Sequence, residues 1–128
     1  MSNTNATITA ASRQKMVKAR AGAITLPPIT KMAFGNGGVD GQGNPISPSE
    51  SATGLNNELL RKNIDGFIFP TATSCRYTCT LSELELAGQN INEVGLIDSA
   101  GDFVAIKTMT NKGKDSDLEM TFTVDDIF

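Results

Sequence analysis

Three sets of residues have types and spacings that chemistry uses. The first is the pair Cys75 and Cys79, the only thiols in the chain. The second is a scatter of carboxylates in the last third, Asp98, Asp102, Asp115, Asp117, Asp125 and Asp126, of the kind that loops gather around calcium. The third is Phe34-Gly-Asn-Gly-Gly38, a glycine loop of the general sort that cradles phosphate. Each falls short of its chemistry. The cysteines lie four apart in a run that reads as a strand, which separates their Cα atoms by roughly 13 Å. A disulfide needs less than about 7 Å, so two reduced, buried thiols are expected. Structural zinc takes four Cys or His ligands, and the sequence has no histidine. The carboxylates lack the spacing of an EF-hand loop. The glycine loop has neither the dinucleotide spacing nor the Gly-Lys-Ser/Thr ending of a nucleotide site.

The missing histidine reaches further. It removes Ser-His and Cys-His nucleophile systems and the commonest general base near neutral pH. No cofactor, metal or catalytic residue is therefore assigned, and the chain is expected not to be an enzyme.

These residues sit in 128 positions, enough for one core. No apolar run approaches the ~20 residues of a membrane span, so no membrane partner is expected. Met1–Ala10 lacks the basic-then-apolar order of a secretory signal, and synthesis in a cytoplasm is expected. Charge is divided unevenly. Residues 1–39 carry five cations (Arg13, Lys15, Lys18, Arg20, Lys31) and no acid, whereas residues 40–128 carry six cations and fourteen acids. A basic start beside an acidic body suits packing within the molecule or head to tail between copies. Nucleic acid is not expected, because the basic segment has no interleaved aromatics and the whole chain is acidic.

The element pattern is β-rich. A polar arm over residues 1–10 leads to a short helix capped by Ser12 and running through Ala21, with Gly22 as its stop. The helix offers a narrow apolar stripe at Met16 and Val17. With Arg13, Lys15, Met16, Lys18 and Arg20 it forms a candidate partner interface, and residues 1–22 read as a docking arm ahead of a β domain over 23–128. Pro27 and Pro28 force an extended entry. Ile29–Phe34 reads as a strand running into a long loop, since residues 35–54 hold six of the twelve glycines. Leu55–Arg61 suggests a helical turn. Asn63–Phe69 and Thr73–Leu81 read as strands, and Ile91–Ile97 as a central strand with Ile91 and Ile97 on one face and Val94 and Leu96 on the other. Asp98–Asp102 is a hairpin loop returning through Phe103–Met109, followed by a polar loop over Thr110–Asp117. Leu118, Met120, Phe122 and Val124 then alternate with polar residues, as in a strand with one wet face. The fold class is mainly β (α+β), an antiparallel β-sandwich-like domain with a short N-terminal helix and a long Gly-rich loop.

Several of these stretches, in order, resemble the phage tail-collar fibre family, the N-terminal, tail-proximal domain of phage tail fibre proteins. They are Ile29-Thr-Lys-Met-Ala-Phe-Gly-Asn-Gly-Gly38, Leu55-Asn-Asn-Glu58 with Arg61, Ile91-Asn-Glu-Val-Gly-Leu-Ile-Asp98 with Gly101-Asp-Phe-Val-Ala-Ile106, and Asn111-Lys-Gly113 with Leu118–Phe128. The resemblance covers about residues 10–128 and marks Gly35, Gly37, Gly38, Glu93, Gly95, Asp98 and Gly101 as structural motif residues. Family members usually continue into a shaft and a receptor-binding tip, whereas this chain stops at Phe128 where the shaft would begin. The resemblance thus implies a structural component of a phage-type, contractile tail, an attachment or adaptor protein between baseplate and fibre. It implies other tail, baseplate or fibre proteins as partners, a homo-oligomer with a trimer favoured, and assembly in the host bacterial cytoplasm. The alternative is a short receptor-binding tail-tip protein. Independently of the family, Gly95 in a central strand invites a close approach by a neighbour. A buried Glu93 needs a partner, with Arg61 and Arg76 as candidates.

Overall fold

The structure is a computed structural model that describes residues 6–128. Nine elements follow in order: β1 (Thr7–Ile8), α1 (Ala10–Arg20), β2 (Ile29–Gly35), β3 (Glu58–Asn63), β4 (Gly66–Thr71), β5 (Ser74–Leu81), β6 (Asn90–Asp98), β7 (Phe103–Gly113) and β8 (Met120–Ile127). The strands make a five-stranded sheet in the order β1-β7-β6-β2-β3 and a three-stranded sheet in the order β4-β5-β8. Every pairing is antiparallel. The expected class, a β-rich sandwich with one short helix, is what the chain adopts.

The two sheets meet over one core. Met32, Phe34, Val94 and Leu96 of the large sheet face Cys79, Leu81, Phe122 and Val124 of the small one. Phe34 and Phe122 meet edge to face with ring centroids 5.2 Å apart, an arrangement their quadrupoles favour. The other face of the large sheet has its own, smaller core of Ala33, Ile97, Phe103 and Ile106, covered by Ala52 and Leu55 of the loop between β2 and β3. The central strand β6 is therefore buried on both faces, which explains why Val94, Leu96 and Ile97 are apolar on both sides of it and why its polar residues Asn92, Glu93 and Asp98 need partners.

Several boundaries depart from the sequence reading, each for a physical reason. The helix starts at Ala10, not after Ser12, because Thr9 is the cap: its Oγ1 accepts the Ser12 N–H at 3.1 Å and donates to the Phe103 carbonyl at 2.7 Å. Residues 6–8 are no free arm, since β1 pairs with β7; residues 1–5 of the predicted arm lie outside the described residues. The predicted helical turn at Leu55–Arg61 is overturned. The N–H groups of Asn56 and Asn57 are taken by the Glu93 carboxylate, and Glu58–Asn63 pairs with β2 instead. The predicted strand Asn63–Phe69 is broken at Ile64 and Asp65, where the chain passes from the large sheet to the small one. The return strand runs on to Gly113 and the closing strand begins at Met120, leaving Leu118 exposed in the turn. Ile91 lies with Val94 and Leu96, not with Ile97. The pairing with β7 is irregular between Ile91 and Glu93, where two steps along β6 are matched by four along β7, and the alternation of β6 reverses there.

Cys75 and Cys79 are free, the first half-buried and the second buried. Burial pushes the Cys79 thiol up to about 11, which keeps it protonated and inert.

Gly95 fills the role its position suggests. A Cβ there would lie 2.6 Å from the Phe103 ring and 3.3 Å from Leu55. The same ring carries the Arg61 guanidinium 5.4 Å above its centroid. Gly95→Val is expected to lower stability by about 1–3 kcal/mol through overpacking, measured by denaturant unfolding. A second prediction concerns Asp126, which is 8% exposed on the inner face of β8, with no hydrogen-bond partner for Oδ1 among the described residues. Burial raises its pKa above the ordinary 3.8. The fold then holds this proton more tightly than the unfolded chain does. Stability falls as pH rises from 3.8 through the raised value, and the penalty is complete at neutral pH. Asp126→Asn should raise the melting midpoint at pH 7, and the advantage should vanish on acidification below the usual carboxylate range.

Candidate functional site

The irregular stretch of β6 at Ile91–Glu93 gives the long loop its anchor. Ile91 and Val94 turn to the core, while the two polar residues between them, Asn92 and Glu93, serve the loop side. Both are buried, at 2% and 1% exposure. Glu93 Oε2 accepts the N–H of Gly37 and of Asn57, each at 2.8 Å, and Oε1 accepts the N–H of Asn56 at 2.9 Å. Asn92 Oδ1 accepts the Gly38 N–H at 2.7 Å, and its amide nitrogen donates to the Asn36 carbonyl and to Asn111 Oδ1. Neither arginine proposed from the sequence is the partner of Glu93. Arg61 pairs with Glu58 at 2.7 Å and Arg76 with Asp125 at 2.8 Å. The charge on Glu93 is met by main-chain dipoles of both ends of the loop.

The three glycines make this possible by lacking side chains. A Cβ on Gly35 would run into the Asn57 carbonyl and lie 2.6 Å from Glu93 Oε2. On Gly37 it would lie 2.7 Å from Asn56 Cβ, and on Gly38 2.5 Å from the Asn92 carbonyl oxygen. Main chain packs directly on main chain here, which only glycine permits. Side chains of the loop ends then close the clamp: Asn56 donates to the Gly37 carbonyl, and Asn57 donates to Asn36 Oδ1. Between them the loop forms a small turn around Asp40, whose Oδ1 accepts the N–H groups of Gln42 and Asn44. A cavity of about 210 Å³ lies under the loop, bounded by Ile46, Pro48, Ala52, Glu93, Ile106 and Thr108. Both oxygens of Glu93 are already engaged in hydrogen bonds, so this cavity presents no free acid or base.

A second clamp holds the helix. Lys15 Nζ lies 2.6 Å from both Asp98 Oδ2 and Asp102 Oδ2. Asp98 is 3% exposed, and its Oδ1 accepts the N–H groups of Ala100 and Asp102 across the hairpin. Gly101 completes that turn at φ 92°. The hydrogen bonds to Asp102 and Asp98 raise the Lys15 pKa, so the ammonium is fully charged at any physiological pH.

The five residues of the predicted partner interface thus separate. Lys15 is spent inside the chain, and Arg13 reaches the loop residue Glu50 at 3.3 Å. Met16 is half-buried. Lys18 and Arg20 are exposed and have no ion-pair partner among the described residues. Of the six aspartates noted in the sequence, Asp98 and Asp102 converge, but on a lysine; among the described residues no three potential ligands gather around a common point. One feature went unnoticed in the sequence. Lys114 is 1% exposed and donates to the carbonyls of Glu83 and Asp115, tying down the turn before β6. Nothing in its local pattern distinguishes it from a surface lysine.

The whole arrangement is a set of internal clamps that present a long loop and a helix end. A family model described as phage tail-collar fibre protein, N-terminal, matches residues 1–124. No curated protein and no solved structure matches the chain.

Glu93→Gln would set an amide N–H₂ among N–H donors and remove the charge they converge on. The expected cost is about 3 kcal/mol in denaturant unfolding. Lys15→Met, which leaves Asp98 buried with only two N–H partners, is expected to cost about 1–3 kcal/mol.

Proposed function

The chain belongs to the phage tail-collar fibre protein family and is a structural component of the virion tail, and on that footing we propose that it is the adaptor joining baseplate to fibre in a contractile tail. The observation that carries the reading is the architecture around Glu93: buried charge is used to hold backbone in place, and neither oxygen is left for a substrate. The exposed cations Lys18 and Arg20, together with the clamped loop, are the docking elements toward neighbouring tail proteins, and the chain acts as a homotrimer. The uneven division of charge between residues 1–39 and residues 40–128 supports such an assembly. It is made and assembled in the cytoplasm of the bacterial host.

One observation favours the second reading, a short receptor-binding protein. Phe67 and Phe69 are 57% and 71% exposed and meet edge to face with centroids 5.6 Å apart, and aromatic anchors of this kind dominate many recognition surfaces.

Particles assembled without this chain should carry complete baseplates and no fibres when viewed by electron microscopy. Reversing the free charges, Lys18→Glu with Arg20→Glu, should reduce the copies per particle severalfold while leaving the melting midpoint of the purified chain within about 2 °C, since exposed substitutions rarely exceed 0.5 kcal/mol. Fibred particles in the absence of the chain would contradict the adaptor role. Competition by the purified chain against adsorption of particles to cells would favour receptor binding.

A further inference from the structure

The outer strand of the small sheet presents an apolar inner face that the large sheet does not cover. One row of that face runs from Val124 on β8 through Tyr77 on β5 to Phe67 on β4. Along it burial falls from complete at Val124, through half-buried at Tyr77, to 57% exposure at Phe67. The covering layer therefore ends before it reaches β4. Phe69, next on the same face, is 71% exposed, and its ring meets Phe67 edge to face, while the Phe67 centroid lies 6.0 Å from that of Tyr77. At the start of the strand stands Asp65, exposed and without an ion-pair partner among the described residues. A cluster of aromatic side chains left open in this way marks an interaction surface.

The same chain carries a surface of matching character on a different element. Between α1 and β2 the segment Ala23–Pro28 runs outside any strand, with Ile24 39% and Leu26 48% exposed. Pro27 and Pro28 hold it extended. Immediately before it the helix ends in exposed Val17, Lys18 and Arg20, the two cations without ion-pair partners among the described residues. Apolar, alternating and basic on one side, aromatic and acidic on the other, the two surfaces are complementary.

We propose that Ala23–Pro28 of one copy packs across Phe67 and Phe69 of the next, with Lys18 and Arg20 brought toward Asp65. Because the two surfaces differ, the contact is head to tail. Such contacts close into a ring when the rotation permits. The occupant is a second copy of this chain, since both the apolar and the charged halves of the match are present on it. The inference rests on the oligomeric part of the proposed function and supplies its interface.

The test uses the full chain in solution. The wild type should self-associate by sedimentation velocity, and the association should weaken as salt is raised. Phe67→Ser with Phe69→Ser, and separately Ile24→Ser with Leu26→Ser, should each weaken association at least tenfold. Both variants should keep the wild-type melting midpoint, because all four side chains are exposed. The decisive arm mixes the two variants in equal amounts. One intact surface of each kind remains, so the mixture should form a one-to-one heterodimer that neither variant forms alone. A wild type that stays monomeric to its solubility limit would overturn the proposal, as would a mixture that remains monomeric. Unchanged association in the Phe67/Phe69 variant with reduced binding to cells would also overturn it, assigning the face to a receptor. None of these outcomes bears on whether particles lacking the chain lose their fibres, so the adaptor role and this interface stand or fall separately.

Discussion

The carboxylate of Glu93 lies in the middle of the central strand with 1% exposure, and the rest of the molecule is arranged around what that burial requires. Removing a carboxylate from water costs several kcal/mol unless fixed donors replace the solvent. Here the donors are three main-chain N–H groups, one from the glycine loop after β2 and two from the segment before β3. Both ends of the long loop are therefore bound to one side chain. The loop's cover over Gly95, Ala33 and Phe103 follows from that anchorage, because Leu55 and Ala52 lie just before Asn56 and Asn57. The three glycines belong to the same constraint: any side chain at Gly35, Gly37 or Gly38 would separate the backbone from the groups it bonds.

Charge is used in two distinct ways. Inside, Glu93, Asp98 and Lys114 act as tethers for backbone and hairpin, with Lys15 closing the helix onto Asp98. Outside, Lys18 and Arg20 at the helix end have no ion-pair partner among the described residues, while the aromatic strand β4 stays open. Rigid presentation of such surfaces suits a structural part of a tail, because ordering entropy spent in folding is not spent again in assembly.

Much of the fold was legible in the sequence because strand periodicity is a local property. The alternation of Phe122 and Val124 with Thr121 and Thr123 and the apolar run at Val94–Ile97 both found their places. What was not legible depended on contacts between distant segments. Leu55–Arg61 carries acceptable helix formers, and nothing local reveals that the N–H groups of Asn56 and Asn57 are claimed by a carboxylate on another strand. Thr9 outcompetes Ser12 as the helix cap because its hydroxyl also reaches the Phe103 carbonyl, a contact made only when β7 is in place. The sequence marks Glu93 as a buried acid that needs a partner and offers Arg61 and Arg76, whereas three main-chain N–H groups fill that role. The exposure of Phe67 and Phe69 was hidden as well, since their pattern is that of any half-buried strand and only the end of the covering layer leaves them open.

The claim that one carboxylate holds both ends of the loop is tested most directly by native-state hydrogen exchange on the unmodified chain. If Glu93 is the anchor, the amides of Gly37, Asn56 and Asn57 exchange with a common free energy close to that of global unfolding, although they lie in a loop outside every strand. The turn amides of Gln42 and Asn44, held only by the exposed Asp40, exchange much faster. Fast, independent exchange at Gly37, Asn56 and Asn57 would show that the loop opens without the sheet and would contradict the account.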